Sequence, residues 1–467
     1  MVPFVVGHAT HPQWRGALAL VIAQLEAQLE AQPAAPRPGR PAPATAARGV
    51  EAAAAPARLA PTLGWVYLTD AYADAAAPLL AALRERWPGV SFVGTVGIGV
   101  CASGVEYFDE PGLVVMMAAL PRDQFQVFSG TAGLRAGSPP AQRAVTALVH
   151  ADPSTTDLAE LLAELSDRTE TGYLFGGVAA SRRRSVQLAD GVFEGGLSGV
   201  AFGPDVHVVS RVTQGCTPLG PAHRVTACDG TVALSLDGQP ALPQLLRDLR
   251  LQDDTAAADA PFPQHRLRAA VPQLRRTLVG LTGPSPAADL AATAPADDTR
   301  PPMRVSPAWR GSFGEDVRVR HLIGVDPGRQ AFAVAERLEP GMGLTFCERD
   351  VAAARRDLVR MCTEVREEVE TRAEALRPPA ETAAVATEAA AGTAGPGAEV
   401  AAAPVILGAL YVSCSGRGGP HFGGPSAELQ IVRHALGDVP LAGFFAAGEI
   451  AHRQLHGYTG VLTVFTA

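Results

Sequence analysis

The chain has 467 residues, of which 47% are apolar and only 18% charged, with a formal net charge of −8. That length and apolar content can bury a core of two or three domains. The acidic balance excludes a general nucleic-acid or membrane-surface binder, which needs a basic face.

Met1–His8 has no basic region ahead of a long apolar core, so no secretory leader is expected. The longest uncharged apolar stretches, near Gly16–Leu25 and Leu113–Leu120, are about half the ~20 residues a membrane helix needs. Cys101, Cys216, Cys228, Cys347, Cys362 and Cys414 are scattered with no CxxC pair. This argues against a disulfide scaffold and for reduced thiols in the cytoplasm. Three segments read as linkers, 31–61, 252–302 and 376–403, because they lack the large apolar side chains that offset ordering entropy. One piece inside the second, Leu267–Leu281, looks more ordered.

Between the linkers a unit recurs three times. It begins with a short strand: Trp65–Asp70, then Ala147–Asp152, then Ala409–Cys414. A helix follows each, over Ala75–Trp87, Asp157–Leu165 and Ser426–Leu436. In the second, Leu158, Leu161, Leu162 and Leu165 share one face. A glycine-broken strand comes next, at Phe92–Gly99, Leu174–Ala180 and Ala442–Glu449. A last apolar strand closes each unit, at Pro111–Leu120, Gly195–Gly203 and Gly457–Thr466. Three strand–helix–strand–strand units imply a mixed α/β fold with sheets covered by helices. Two β-rich pieces, Val206–Leu236 and Val317–Phe346, lie between the second and third copies. A long amphipathic helix follows them, with Leu358, Cys362, Val365 and Val369 on its inner stripe. The expected division is 1–240 and 241–467.

Three polar clusters could carry chemistry. Cys414-Ser415-Gly416-Arg417-Gly418 follows a strand, where ligands bind in open α/β sheets. Its glycines let backbone N–H groups approach an anion, and Arg417 offers a planar fork for a carboxylate. The bland alternative is a tight turn with a solvated arginine. Gly448-Glu449 sets one acid among small residues at another strand end. With Arg417 it would make the two poles of an amino-acid site, or else a structural salt bridge. Gln214-Gly215-Cys216 could place an amide and a thiol in a cleft, or simply form a turn with a buried cysteine. Arg182-Arg183-Arg184 reads as a solvated hairpin tip. His452 and His456 lack a convincing third ligand, so neither a metal nor a cofactor is expected.

These pieces together resemble the FIST family, paired FIST N and FIST C domains of bacterial signal-transduction proteins and some eukaryotic F-box proteins. The resemblance rests on Ala9–Trp14, Val93-Gly94-Thr95, Val212–Gly220, Leu236–Ala241 and Leu322–Asp326. It rests most on Cys414–Gly418, Gly443–Ile450 and Leu455–Gly460. It implies a FIST N-like portion over 1–240, a FIST C-like portion over 241–467, and a small-ligand sensor whose ligand is an amino acid or other small carboxylate. No kinase or F-box module is found before Ala467, so the output is expected to pass through a separate signalling partner. A cysteine-dependent enzyme using Cys414 or Cys216, and a ligand-free interaction scaffold, are the competing expectations.

Overall fold

The structure, a computed structural model, describes residues 3–32, 60–130, 134, 144–251, 270–284, 317–376 and 406–467. Most of the three expected linkers lies outside these residues. The exception is 270–284, a helical stretch followed by the strand Thr277–Pro284, which takes in most of the ordered-looking Leu267–Leu281.

The fold is mixed α/β, and each of the three units builds one six-stranded sheet. At its centre each sheet has a parallel pair: Leu63–Thr69 with Ser91–Gly97, Thr146–Ala151 with Tyr173–Val178, and Ile406–Cys414 with Leu441–Ala446. The connecting helices Ala76–Arg86, Leu158–Asp167 and Ala427–Leu436 match the expected ones to within two residues. The closing strand of each unit, Leu113–Ala118, Leu197–Phe202 or Thr459–Thr466, returns antiparallel on the outer side of its pair. Beyond it lies one further antiparallel strand: Val5–Ala9, Phe125–Phe128 and His207–Gln214.

The other side of each parallel pair is not filled by its own unit. The hairpin Gly99–Ala102/Val105–Phe108 of the first repeat pairs with Leu441–Ala446 of the third. The hairpin Gln187–Ala189/Val192–Phe193 of the second pairs with Ser91–Gly97 of the first. The hairpin Gly448–His452/Gln454–His456 of the third pairs with Tyr173–Val178 of the second. The repeats thus exchange hairpins around a closed ring, and residues on both sides of position 240 share sheets.

One contact fixes the equivalence of the repeats. A Cβ on Gly94, Gly176 or Gly443 would stand 1.8, 2.0 or 1.8 Å from the carbonyl oxygen of Val66, Val149 or Tyr411. Only glycine allows so close a backbone approach. Counted from it, Thr69, Asp152 and Cys414 correspond. The first strand therefore shifts by one residue from the alignment that sets Asp70 against the other two.

The inner faces of the three sheets meet in one core holding Trp65 and Tyr67 of the first, Phe175 and Phe202 of the second, and Phe444 and Phe465 of the third. Helices cover the outer faces. Trp14–Ala31 and Ala76–Arg86 close one apolar layer, and Val351–Leu376 with Ala427–Leu436 another. Cys362 lies fully buried in the latter, as its place on the helix stripe implies. Among the described residues no helix is long and apolar enough to cross a membrane.

The β-rich pieces close on themselves. Met342–Arg349, His223–Asp229, Val232–Leu236, Ala331–Val334, Arg318–Asp326 and Thr277–Pro284 pair in that order, all antiparallel. Thr277–Pro284 then returns to Met342–Arg349. This six-stranded barrel is plugged by the helix Ala241–Asp248, whose Leu242, Leu245 and Leu246 join Phe332 and Phe346 in its core. The barrel is inserted between the outermost strand of the third sheet and the rest of the third repeat.

Candidate functional site

A groove of about 990 Å³ opens where the strands of the third repeat end against the barrel. The turn Cys414-Ser415-Gly416 and Ala447-Gly448 form its floor. The barrel supplies Arg318, Arg320, His321, Glu336, Arg337 and Arg349. The end of the exchanged hairpin and the residues after it supply Arg453, His456 and Tyr458.

The other two repeats fill this position themselves. In the second, Asp152 accepts hydrogen bonds from the Ser154 backbone N–H (2.8 Å), the Ser154 hydroxyl (2.6 Å) and the Gly195 N–H (2.9 Å). In the first, Thr69 Oγ1 accepts from the Gly112 N–H, and neighbouring Asp70 is clasped by Arg182, whose Nε donates at 2.7 Å. Arg182 also pairs with Asp109, and Arg184 with Glu194. Arg182 and Arg184 of the arginine run are thus ion-paired, while all three side chains stay exposed to solvent as expected. Only the third repeat continues through serine and glycine, and its turn carries the groove floor.

Of the ten residues singled out in the sequence, Cys414, Ser415, Gly416 and Gly448 line this groove. Arg417 lies beneath it. Its Nε donates to Glu428 Oε1 at 2.8 Å and its Nη2 lies 2.7 Å from the same oxygen as an ion pair, and both side chains are about 1% exposed. Phe422 stacks on the guanidinium at 5.0 Å. Its hydrogen-bonded partner is thus Glu428 on the first turn of the next helix, not Glu449. Glu428 is saturated by Tyr411 OH at 2.7 Å and Ser413 Oγ at 3.0 Å. Gly418 packs where a Cβ would meet the Phe108 ring at 2.3 Å. Gln214 turns away, its Nε2 donating to the Val317 carbonyl at 2.9 Å. Gly215 approaches the Arg417 guanidinium. Cys216 is buried beside Tyr458 behind the groove wall.

Sequence reading missed the arginines of the barrel wall. Arg318 and Arg320 alternate on one strand face, a signal that was there to be read. They share Glu336, at 2.8 and 2.6 Å. Arg349 is set by two contacts: it lies 4.4 Å over the Tyr458 ring and donates to the Gly416 carbonyl. Tyr458 has φ +60°, and its hydroxyl bonds His321 Nε2. Five arginines face one glutamate in the groove lining.

Two buried carboxyls stand behind this face. Glu449 Oε2 accepts from the Thr459 N–H (3.1 Å) and hydroxyl (2.7 Å). Burial pushes its carboxyl up to about 8, against those bonds and the charge of Arg417. Glu106 Oε1, from the exchanged first-repeat hairpin, accepts the Glu428 and Leu429 N–H groups at 3.1 and 3.2 Å and so caps that helix. Burial, then the charge of Glu428, push it up to about 7. Burial also pushes the Cys414 thiol up to about 12, with the Glu449 charge second. Cys414 therefore lacks the lowered pKa of an activated nucleophile. Among the described residues no cluster of His, Cys, Asp or Glu could hold a metal.

Four buried groups with large shifts contribute to the pH dependence of stability. Unfolded, Glu449 and Glu106 titrate near 4.5. Between there and their raised folded values the unfolded chain binds fewer protons, so stability falls as pH rises. His456 and His150 are pushed by burial down to about 4 and about 3, from 6.5 unfolded. Below 6.5 the unfolded chain binds more protons, so stability falls as pH drops. The melting temperature should peak at about pH 6. Glu449→Gln should flatten the alkaline limb. A wild-type melting temperature that is unchanged from pH 6 to 8.5 would contradict this account.

Residues 62–239 match the FIST N domain and residues 270–452 the FIST C domain. The chain is also similar to an uncharacterized protein of Mycobacterium tuberculosis, at 30% identity over 87% of this chain and 91% of that one. An uncharacterized protein of Mycobacterium bovis is similar at 28% identity, again over 87% and 91% of the two chains.

Proposed function

This chain belongs to the FIST family, its FIST N and FIST C domains together spanning most of its length, and on that premise we propose that it is a sensor that binds a small carboxylate in the groove of the third repeat. FIST domains are associated with sensory and signal transduction. The observation that carries the reading is the arginine excess over a floor of serine and glycine backbone. Arg349 is the first choice for direct contact, because Tyr458 and Gly416 hold its guanidinium in place at the groove edge. A planar fork fixed in advance binds a carboxylate at low entropic cost. Arg417 and Glu449 act from below, supporting the turn rather than meeting the ligand.

Amino acids are the leading candidates, with Glu336 available to an ammonium group, and plain carboxylates are the alternative. Residues 1–240 are the FIST N-like portion and 241–467 the FIST C-like portion, interlocked through the exchanged hairpins. The ligand would touch both, since Pro153, Leu158 and Ala159 of the second repeat also line the groove. Binding there can bias how the barrel sits on the three-sheet body, and a separate partner protein would read that change. Six unpaired thiols suit the reducing cytoplasm. The high pKa of Cys414 weighs against the enzyme alternative at that residue.

A thermal-shift screen of amino acids and small carboxylates tests the reading. A ligand at 100 times its dissociation constant stabilises by about 2.7 kcal/mol. Arg349→Ala should then weaken binding about ten- to a hundred-fold, the value of a hydrogen bond to a charged group. If no such compound shifts the melt, or Arg349→Ala binds like wild type, the groove is not a carboxylate site.

A further inference from the structure

Two cysteines far apart in sequence meet on the outer wall of the barrel. The short strand Cys216–Pro218 pairs antiparallel with the end of Met342–Arg349, with Cys216 opposite Arg349 and Pro218 opposite Cys347. Opposite residues share a face of a sheet, as do residues two apart on one strand. Cys216, Arg349 and Cys347 therefore project to the same side, and the two cysteines are diagonal neighbours. That side points away from the barrel interior. Leu344 and Phe346 belong to the barrel core, whereas Cys216 and Cys347 share a separate apolar cluster with Leu278, Val317, Val319 and Tyr458.

The two sulfurs differ in role. Interaction with the neighbouring Cys347 thiol, followed by the positive charges of Arg349 and Arg417, draws the Cys216 thiol below its ordinary pKa despite burial. The same contact holds the Cys347 proton in place and raises that thiol. Two neighbouring thiols, one lowered by its partner and by two arginines and the other raised, match the division of labour in a thiol–disulfide pair. Access is also provided for. Among the described residues Cys216 lies on a three-residue strand at the end of the sheet order, paired only with Met342–Arg349, and glycine precedes it. Local opening of that strand would expose Cys216 without unfolding the barrel.

We propose that Cys216 and Cys347 form a reversible disulfide, with Cys216 as the attacking sulfur, Cys347 as the resolving sulfur and a hydroperoxide as oxidant. The Cys216 thiolate attacks the terminal peroxide oxygen. The O–O bond breaks, and the departing alkoxide or hydroxide takes a proton, leaving Cys216 as a sulfenic acid. The Cys347 sulfur then attacks the Cys216 sulfur. The S–O bond breaks, and water leaves carrying the Cys347 proton. Two thiols are oxidised by two electrons, and one peroxide is reduced to an alcohol, or water, plus water. An external dithiol restores both thiols through two exchange steps. The bond would tie the short strand to the barrel wall behind Arg349, removing the lowered thiol that faces this arginine of the groove.

The test uses the full-length wild-type protein treated with hydrogen peroxide at neutral pH, followed by differential alkylation and mass mapping. The expected product is one crosslink between the peptides carrying Cys216 and Cys347, lighter by two hydrogens and reversed by dithiothreitol. Cys101, Cys362 and Cys414 should remain thiols. In Cys347→Ser, Cys216 should stop at a sulfenic acid that dimedone captures. In Cys216→Ser, Cys347 should stay reduced. Pairing of either cysteine with a different one, oxidation of Cys216 to a sulfinic acid without the crosslink, or both remaining thiols in the wild type would each overturn the proposal.

Discussion

Gly443→Ala should lower the stability of the protein by about 3 kcal/mol or more, at the upper end of overpacking effects. The added Cβ would stand 1.8 Å from the Tyr411 carbonyl oxygen and 2.8 Å from the Cys101 sulfur. Neither can give way easily. Tyr411 is on the central strand Ile406–Cys414, paired on both sides. Cys101 is fully buried on the hairpin borrowed from the first repeat. Separating them would loosen the parallel pair that carries the groove floor and the exchanged hairpin together. Gly424→Ala is the control: its Cβ would meet nothing within 4 Å among the described residues, so the change should be nearly neutral. Denaturant melts of the two variants decide the matter. Equal midpoints would mean that the close approach of the strands is not what holds the third repeat.

Arg417→Met should cost about 3–5 kcal/mol, the usual penalty for leaving one partner of a buried ion pair alone. Glu428 would keep its charge with only Tyr411 and Ser413 as donors, in a place about 1% exposed. The double variant Arg417→Met/Glu428→Gln removes both charges and keeps an oxygen for the Tyr411 hydroxyl. It should recover most of the loss, since replacing a whole buried pair is often close to neutral. A urea-denaturation cycle over the two single variants and the double one measures the coupling. If Arg417→Met is as stable as wild type but fails to bind carboxylates, then Arg417 is a ligand contact and its pairing with Glu428 is incidental. Energetically the buried pair is the stronger claim. Glu428 accepts hydrogen bonds from Tyr411, Ser413 and Arg417 Nε, and Phe422 covers the open face of the guanidinium.

Much of the body was legible in the sequence because it depends on local pattern. The helices Ala76–Arg86, Leu158–Asp167 and Ala427–Leu436 announce themselves by the spacing of their leucines and valines. The strands on either side of each helix are short apolar runs ended by glycine or polar residues, and their threefold recurrence gives the α/β class. The turn Cys414-Ser415-Gly416 stands out because so many small and polar residues follow a buried strand. Such features are fixed by side-chain periodicity and by the backbone freedom of glycine, both of which act within a few residues.

The rest depended on which segments meet, and no local pattern encodes that. A hairpin such as Gly448–His452/Gln454–His456 reads the same whether it pairs with its own sheet or with that of the second repeat. Only the fit of three sheets around one core selects the exchange. The barrel closes through Thr277–Pro284, a strand set between segments of low apolar content, whose partner Met342–Arg349 lies about sixty residues further on. The groove follows from both. Its floor comes from a sequence motif, but its arginines come from the barrel wall and its far edge from an exchanged hairpin. Arg417 and Glu449 looked like two poles of one site because charge can be read from sequence and burial cannot. Folding set Glu428 eleven residues beyond Arg417, on the first turn of a helix directly above it, and a charge buried that deeply takes the nearest opposite charge as its partner.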